Sequence, residues 1–349
     1  MNNKIHFECD YTEGAHEKLM ARLLATNLEQ TVGYGEDEYC AEAAALVKKL
    51  CAAPDADVHF LTGGTQCNLV TITAALRPHQ GVLCADTGHI AVHESGAIEA
   101  AGHKVLTLPQ TDGKITAQQV KAAVDAHYAD DTHEHQVQPA MVYLSQSTEC
   151  GTLYTLAELC EMRRVCDECG LLLYVDGARL AYALGAKTND VTMSDLARLC
   201  DAFYIGGTKC GALFGEALVL QNDALKQDFR YSIKQRGGML AKGRLLGIQF
   251  LTLFTDNLYF KISQHAIDLA MKIRDALKEN GIAFYADSPT NQQFPILSND
   301  VIERLSKDFL LSPWAKVDEN HMAMRICTSW ATTEENVDKL LEALCDNNK

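Results

Sequence analysis

A chain of 349 residues, 47% hydrophobic and 22% charged, holds enough apolar material for one large domain, or for a large and a smaller one. Its formal net charge of −15 repels phosphate-rich polymers, so nucleic acid is not an expected partner. No apolar run nears the ~20 residues that span a bilayer, and the first eight residues are too polar for a signal peptide, so a cytoplasmic protein without a membrane partner is expected.

Thirteen cysteines, an odd count, lie mostly singly in apolar or helical stretches, as at Cys51, Cys67, Cys84, Cys200 and Cys327. That pattern fits reduced, buried thiols rather than a disulfide framework. Cys166 and Cys169 form the one C-x-x-C, without a second pair at zinc-finger spacing, and the segment reads as a helix end where the two share a face. The run Asp130–His135 reads as a solvated loop, and no metal site is expected.

Apolar runs of strand length alternate with longer helical patterns along the chain. Residues 58–61 predict a strand and 66–76 a helix; strands follow at 81–85 and 104–108, around a helix over 93–101. A helix over 120–127 leads to a strand at 140–144, and a helix over 156–169 leads to a strand at 171–175. The helix 193–199 precedes a strand at 201–205, and 217–220 turns back as one more. This alternation predicts an α/β domain with a mainly parallel sheet and helices on both faces. After about residue 230 come a long helical stretch, 240–257, and a helix over 265–280. Strand-like segments at 282–285, 293–295 and 322–327 and a last helix at 334–345 complete the chain. The expected division is an N-terminal arm and large domain over 1–249, and a smaller α+β domain over 250–349.

The strongest local signal is the apolar run Leu171–Val175 ending in Asp176-Gly177-Ala178-Arg179. It describes a buried strand that presents a carboxylate at its C-terminal edge, where open α/β sheets bind ligands. A buried carboxylate needs a cation or donors opposite it; the competing reading is an Asp that caps the next helix. About one β-α-β unit later, Ala202–Ile205 runs into Gly206-Gly207-Thr208-Lys209. A lysine emerging from an apolar, glycine-rich turn is poorly solvated, and burial lowers its pKa, as an imine-forming amine requires; the alternative is a surface lysine that snorkels. Gly63-Gly64-Thr65 stands between a strand and a helix, a place where backbone N–H groups and the helix dipole favour an anion. Phosphate cradle, buried carboxylate and reactive amine together describe a site for pyridoxal 5′-phosphate (PLP).

The order and spacing of these motifs resemble the threonine aldolase family, within the beta-eliminating lyases of the aspartate-aminotransferase-like fold (PLP fold type I). The matching stretches are Tyr34–Asp37, Leu61–Leu69, Gly88-His89 with Glu94–Gly96, Val175–Arg179, Thr208-Lys209 and Met324–Ile326. The resemblance implies that Lys209 carries the cofactor aldehyde and that Asp176 faces the ring nitrogen. It implies that Gly64 and Thr65 cradle the phosphate and that His89 stacks on the ring. Arg179 and Arg325 are implied to gather the substrate carboxylate, a task that suits the planar fork of arginine, with Arg179 also beside the cofactor. For His89 alone, a satisfied core histidine is the competing reading.

Three segments depart from the family pattern. Cys9 stands in Glu8-Cys9-Asp10 where the family has a serine that touches the substrate carboxylate. Ser145–Glu149 replaces a Glu-Asn-Thr-His segment, so the histidine implicated in handling the substrate hydroxyl is missing. The stretch Arg236–Lys242 replaces one that supplies a phosphate-binding arginine from a neighbouring subunit, with Lys242 or Arg236 as substitutes.

The resemblance implies a lyase that cleaves β-hydroxy-L-amino acids to glycine and an aldehyde, working as a homodimer or homotetramer. His89 or His93 is the expected base for the substrate hydroxyl, with Glu149 behind them. The alternatives are another PLP reaction on the same scaffold (β-elimination, transamination or racemisation), a non-catalytic PLP-binding scaffold, and a metalloprotein.

Overall fold

The computed structural model describes residues 4–345. After the short β1 (Ile5–His6), seven strands form the main sheet: β2 (Asp57–Leu61), β3 (Gln80–Ala85), β4 (Lys104–Leu108), β5 (Gln138–Ser145), β6 (Leu172–Asp176), β7 (Ala202–Gly206) and β8 (Glu216–Leu220). Their order is β2-β8-β7-β6-β5-β3-β4. The pairs from β7 across to β4 are parallel, while β8 runs antiparallel to both β7 and β2.

The two-residue period of a strand sorts the side chains between two cores. Val142, Leu144, Leu173, Val175, Phe203 and Ile205 enter one core. Met141, Tyr143, Tyr174, Ala202 and Tyr204 enter the other, beneath the helix Gly64–Ala75. Near-continuous apolar strands such as β7 are what burial on both faces demands. Three tyrosines of neighbouring strands, Tyr143, Tyr174 and Tyr204, thereby face one helix, and their hydroxyls supply polar groups inside an apolar layer.

Several boundaries move. The single helix expected over 93–101 is two turns, His89–Val92 and Ala97–Ala100. Ser95 and Gly96 between them have φ of 52° and 70°, a left-handed corner that ends the first turn. The helix expected from 240 begins at Arg244 and stops at Phe254, because Asp256 and Asn257 are left-handed too. Residues 282–285 hold only the isolated bridge Phe284–Pro295. Helices without a sequence expectation include Glu17–Ala25, and Glu38–Leu50, whose first turn is capped by the Asp37 carboxylate accepting from the Cys40 N–H at 2.9 Å. Gly247 lets the helix Arg244–Phe254 lie against that second helix, since a Cβ there would stand 2.6 Å from the Cys40 backbone nitrogen.

A smaller sheet places β13 (His321–Cys327) between β10 (Ile296–Ser298) and β12 (Ser312–Lys316), with β9 (Gln292–Gln293) also on β13. β11 (Phe309–Leu310) pairs with β1 in parallel. The expected division at residue 249 falls inside the helix Arg244–Phe254, whose Phe250, Leu251 and Leu253 belong to the large core. The change of core comes within the helix Leu258–Glu279: Ile267 packs into the large core, Leu269 and Ile273 into the small one. Phe7 also sits in the small core. We therefore propose a division near residue 268, with the first residues of the chain returned to the small domain. The two domains meet where β5, β6 and β7 end.

Candidate active site

A cavity of about 550 Å³ opens at that edge. Lys209 and Asp176 both line it, with Gly64, Thr65, His89, Arg179 and Arg325. The chain leaves β7 through Gly206-Gly207, and the Tyr182 hydroxyl donates to the Lys209 carbonyl at 2.6 Å, fixing the turn. The Lys209 ammonium lies 5.9 Å from the centre of the Tyr11 ring. Loss of water around it, then the Arg179 charge, lower its pKa below the ordinary lysine range, against the opposing pull of Asp10, Asp176 and Glu216.

Asp176 ends β6 and is buried with four donors on its carboxylate. Tyr143 and Tyr204 hydroxyls donate at 2.6 Å each, the Ala178 N–H at 2.9 Å and the Asn68 amide at 3.2 Å. Burial alone would raise its pKa; His89, the two tyrosines and the Ala178 N–H outweigh it, so the group is held below the usual carboxylate range. The helix after it, Leu180–Gly185, has Arg179 as its cap and no side-chain capping bond, so Asp176 is not its cap.

Gly64 opens the helix Gly64–Ala75, and no side chain caps that helix. Its first-turn N–H groups stand at the cavity wall beside Thr65. A Cβ on Gly64 would stand 2.6 Å from the Tyr204 hydroxyl, so glycine is what lets the cradle and the holder of Asp176 meet. His89 Nδ1 lies 2.7 Å from the buried Glu94 carboxylate, which also accepts from Asn68 at 2.7 Å. Asn68 in turn accepts from Tyr174 at 2.9 Å. One network thus runs from His89 through Glu94 and Asn68 to Asp176.

Glu94, Asn68 and Glu216 had no assigned role from the sequence. Glu216 is buried at the cavity wall, where it accepts from the Gly207 N–H at 2.9 Å and the Thr208 hydroxyl at 2.8 Å, tying down the turn that carries Lys209. Burial raises its pKa to about 7, even though Thr208 and Gly207 pull the other way. Asn68 was findable as a lone amide in the apolar helix segment Cys67–Ile72. Glu94 and Glu216 carry no such local mark, because their partners lie on other elements.

Three expected site residues need correction or a different place. Arg179 lines the cavity but already has a carboxylate partner: its Nε and Nη2 donate to Asp10 at 2.7 and 2.9 Å. Asp10 also accepts from Asn291 at 2.9 Å. Arg325 is the cavity arginine without a carboxylate partner among the described residues; its Nη2 donates to the Glu8 carbonyl at 2.9 Å, and its guanidinium stands 5.7 Å from the centre of the Trp314 ring. Cys9 is half-buried and does not line the cavity, although Tyr11 does; burial, first of all, pushes its thiol pKa up. Lys242 is exposed and lies outside the cavity of its own chain, as does Arg236, which is half-buried and whose carbonyl accepts from Gln66 at 3.4 Å.

The Asp10–Arg179 pair makes a stability prediction. Burial would raise the Asp10 pKa, but Arg179 and then Lys209 hold it at about 2, against an ordinary 3.8. A depressed carboxyl stabilises above its unfolded pKa and loses that contribution as pH falls through the folded one. The pair therefore gives about 2 kcal/mol that is complete above roughly pH 4 and gone below roughly pH 2. Asp10→Ala is expected to cost about 3–5 kcal/mol at neutral pH, because it strands a buried guanidinium. Urea unfolding of parent and variant across this range checks both the size and the sign.

These residues fit PLP. The cavity offers uncapped N–H groups for a phosphate, an ionised carboxylate for a pyridine nitrogen and an amine for an aldehyde, and a Cβ at Gly64 would disturb two of the three. Comparison with known proteins agrees. The model of the beta-eliminating lyase family matches residues 7–300. The low specificity L-threonine aldolase of Pseudomonas sp. (strain NCIMB 10558) is 30% identical over 314 residues, covering 87% of this chain and 85% of its own. That of Saccharomyces cerevisiae is 25% identical over 93% of this chain and 83% of its own. Among solved structures, the threonine aldolase of Leishmania major is 46% identical, with a TM-score of 0.94 over 97% of this chain and 98% of its own. The aspartate aminotransferase of Thermus thermophilus, 14% identical with a TM-score of 0.69 over 98% of this chain and 91% of its own, shares the fold. By the extent of these matches, the chain belongs to the beta-eliminating lyase family, whose members depend on PLP.

Proposed function

We propose that the protein cleaves threonine-like β-hydroxy-L-amino acids to glycine and an aldehyde. The observation that carries this is the convergence on one cavity of Lys209, Asp176 and Arg325, the last without a carboxylate partner among the described residues, in a chain whose relatives are named threonine aldolases. In this reading Gly64 and Thr65 hold the phosphate, Asp176 faces the ring nitrogen, Lys209 carries the aldehyde, and His89, oriented by Glu94, covers the ring. When bound, PLP supplies the electron sink for the bond broken at Cα.

Arg325 binds the substrate carboxylate, its guanidinium steadied by the Glu8 carbonyl and the Trp314 ring. Arg179, neutralised by Asp10, shapes the pocket and adds less charge to it. Holding the carboxylate decides which bond at Cα lies across the ring plane, so Arg325 selects the reaction by orientation. The N–H groups at Gly64 and Thr65 anchor the far end of the cofactor against that orientation.

The subunits are proposed to associate as a homodimer or homotetramer, with Lys242 or Arg236 of one copy completing the phosphate site of another. Leu24, Leu28 and Val32, near one another in sequence and exposed at 78%, 92% and 63%, are apolar side chains whose exposure supports self-association. A cytoplasmic setting is part of the same proposal and is supported by the many free thiols.

The test is product analysis of the holoenzyme with L-threonine, L-allo-threonine and L-serine. Glycine and acetaldehyde in equal amounts from the first two are expected. Pyruvate or ammonia without glycine would replace aldol cleavage by β-elimination.

A further inference from the structure

Cleavage between Cα and Cβ requires that the β-hydroxyl lose its proton, and three groups at the cavity could take it: His89, His93 and Glu149. His89 Nδ1 is engaged with Glu94, and the same network orients its ring as part of the cavity wall. His93 is tilted against His89, with ring centres 5.6 Å apart. No hydrogen bond to a described residue fixes its imidazole. Burial, then His89, Arg325 and Lys209, push its pKa below the ordinary histidine value, which weakens it as a base.

Glu149 differs on each count. It follows the carboxyl end of β5, and the last residue of that strand, Ser145, is in register with Asp176. The Ser145 hydroxyl donates to Glu149 Oε1 at 2.7 Å and the His89 N–H donates to the same oxygen at 3.1 Å. These two bonds fix the carboxylate through one oxygen, while no other described residue donates to Oε2. Burial raises the Glu149 pKa above the ordinary carboxylate value; Ser145, the Glu149 backbone N–H and His89 oppose the rise and Asp176 adds to it. Cys84, Cys150, Tyr143 and Tyr154 also feel its charge. A carboxylate that is oriented, partly desolvated and free at one oxygen is suited to general-base work.

We propose that Glu149 is the catalytic base that takes the proton of the substrate β-hydroxyl, an assignment that rests on the aldol-cleavage function above. The O–H bond breaks and its proton passes to Oε2 of Glu149. The electron pair of that bond becomes the second C–O bond of the aldehyde as Cα–Cβ breaks, and the Cα–Cβ pair stays with the glycine fragment. One proton returned to Cα balances the one taken from the hydroxyl. This order reverses the sequence-based expectation, in which the histidines came first.

The test uses Glu149→Gln, which keeps the size of the side chain and an oxygen for Ser145 and His89 to bond. Glycine formation from L-allo-threonine is expected to fall by ~10²-fold or more, the scale of losing one general base. Glycine carries no hydroxyl, so its affinity, read by spectral titration, and its α-proton exchange in D2O should stay within about threefold of the parent, as should the melting behaviour. Equal losses of cleavage, glycine affinity and exchange would make Glu149 a structural residue and overturn the proposal. So would a variant that keeps about a third of parental cleavage, or a collapse of cleavage in His93→Phe while Glu149→Gln stays at the parental rate. A parent enzyme that exchanges the glycine α-proton yet cleaves no β-hydroxy amino acid would instead overturn the function itself, and that is seen before any variant is made.

Discussion

Lys209→Ala is expected to lower glycine formation from L-allo-threonine by roughly 10⁴-fold or more, about 5.5 kcal/mol in the barrier. Lys209 is the one primary amine among the described residues that line the cavity, so no neighbour can take its place. The loss should come from chemistry rather than from folding. The turn is held by backbone groups that alanine retains: the residue 209 carbonyl bonded to Tyr182, and the Gly207 N–H bonded to Glu216. Lys209→Arg separates charge from nucleophilicity. Its guanidinium keeps a cation opposite Asp10, Asp176 and Glu216 but stays protonated at every working pH, so it too should be inactive. Borohydride treatment of the parent holoenzyme followed by peptide mapping should mark residue 209, and the mark should be absent from Lys209→Ala. A variant with a tenth of parental activity would place the reactive amine elsewhere.

How much of this was legible in the sequence follows from whether a residue's partners are local. The strand ending in Asp176 and the turn at Lys209 were readable because an apolar run broken by one charged residue is costly unless the charge has work to do. The parallel order of the sheet followed from alternation, and the helix Leu156–Cys169 was read to its last residue because a Thr155 capping box opens it and left-handed Gly170 closes it. The partners of Asp176 were not readable: Tyr143 is 33 residues from it and Asn68 is 108 away. The pairing of Arg179 was not readable for the same reason, since its carboxylate, Asp10, lies 169 residues away. Sequence supplied both residues of that pair but not their contact. The two short helices at His89 and Ala97 likewise depend on Glu94 turning inward to Asn68, a tertiary contact that overrides helical periodicity.

Asp176→Asn should be the next most damaging change, lowering kcat by roughly 10²–10³-fold, the cost of removing one preorganised electrostatic partner. The reason lies in the donors. Oδ1 takes the Tyr204 hydroxyl and the Ala178 N–H, and Oδ2 takes the Tyr143 hydroxyl and the Asn68 amide. An asparagine can keep its oxygen toward Ala178, whose N–H cannot turn away, but its NH2 must then face Tyr143 and Asn68. Tyr143 can rotate its hydroxyl to accept. The Asn68 Nδ2 cannot, and to reverse that amide would break its bonds to Tyr174 and Glu94. The substitution thus removes the negative charge and also leaves one buried donor facing another, at about 1–3 kcal/mol of stability. Asp176→Asn should therefore melt below the parent and bind PLP more weakly, while glycine affinity of the loaded protein, set by Arg325, changes little. Parental kcat in Asp176→Asn would show that the ring nitrogen needs no carboxylate here.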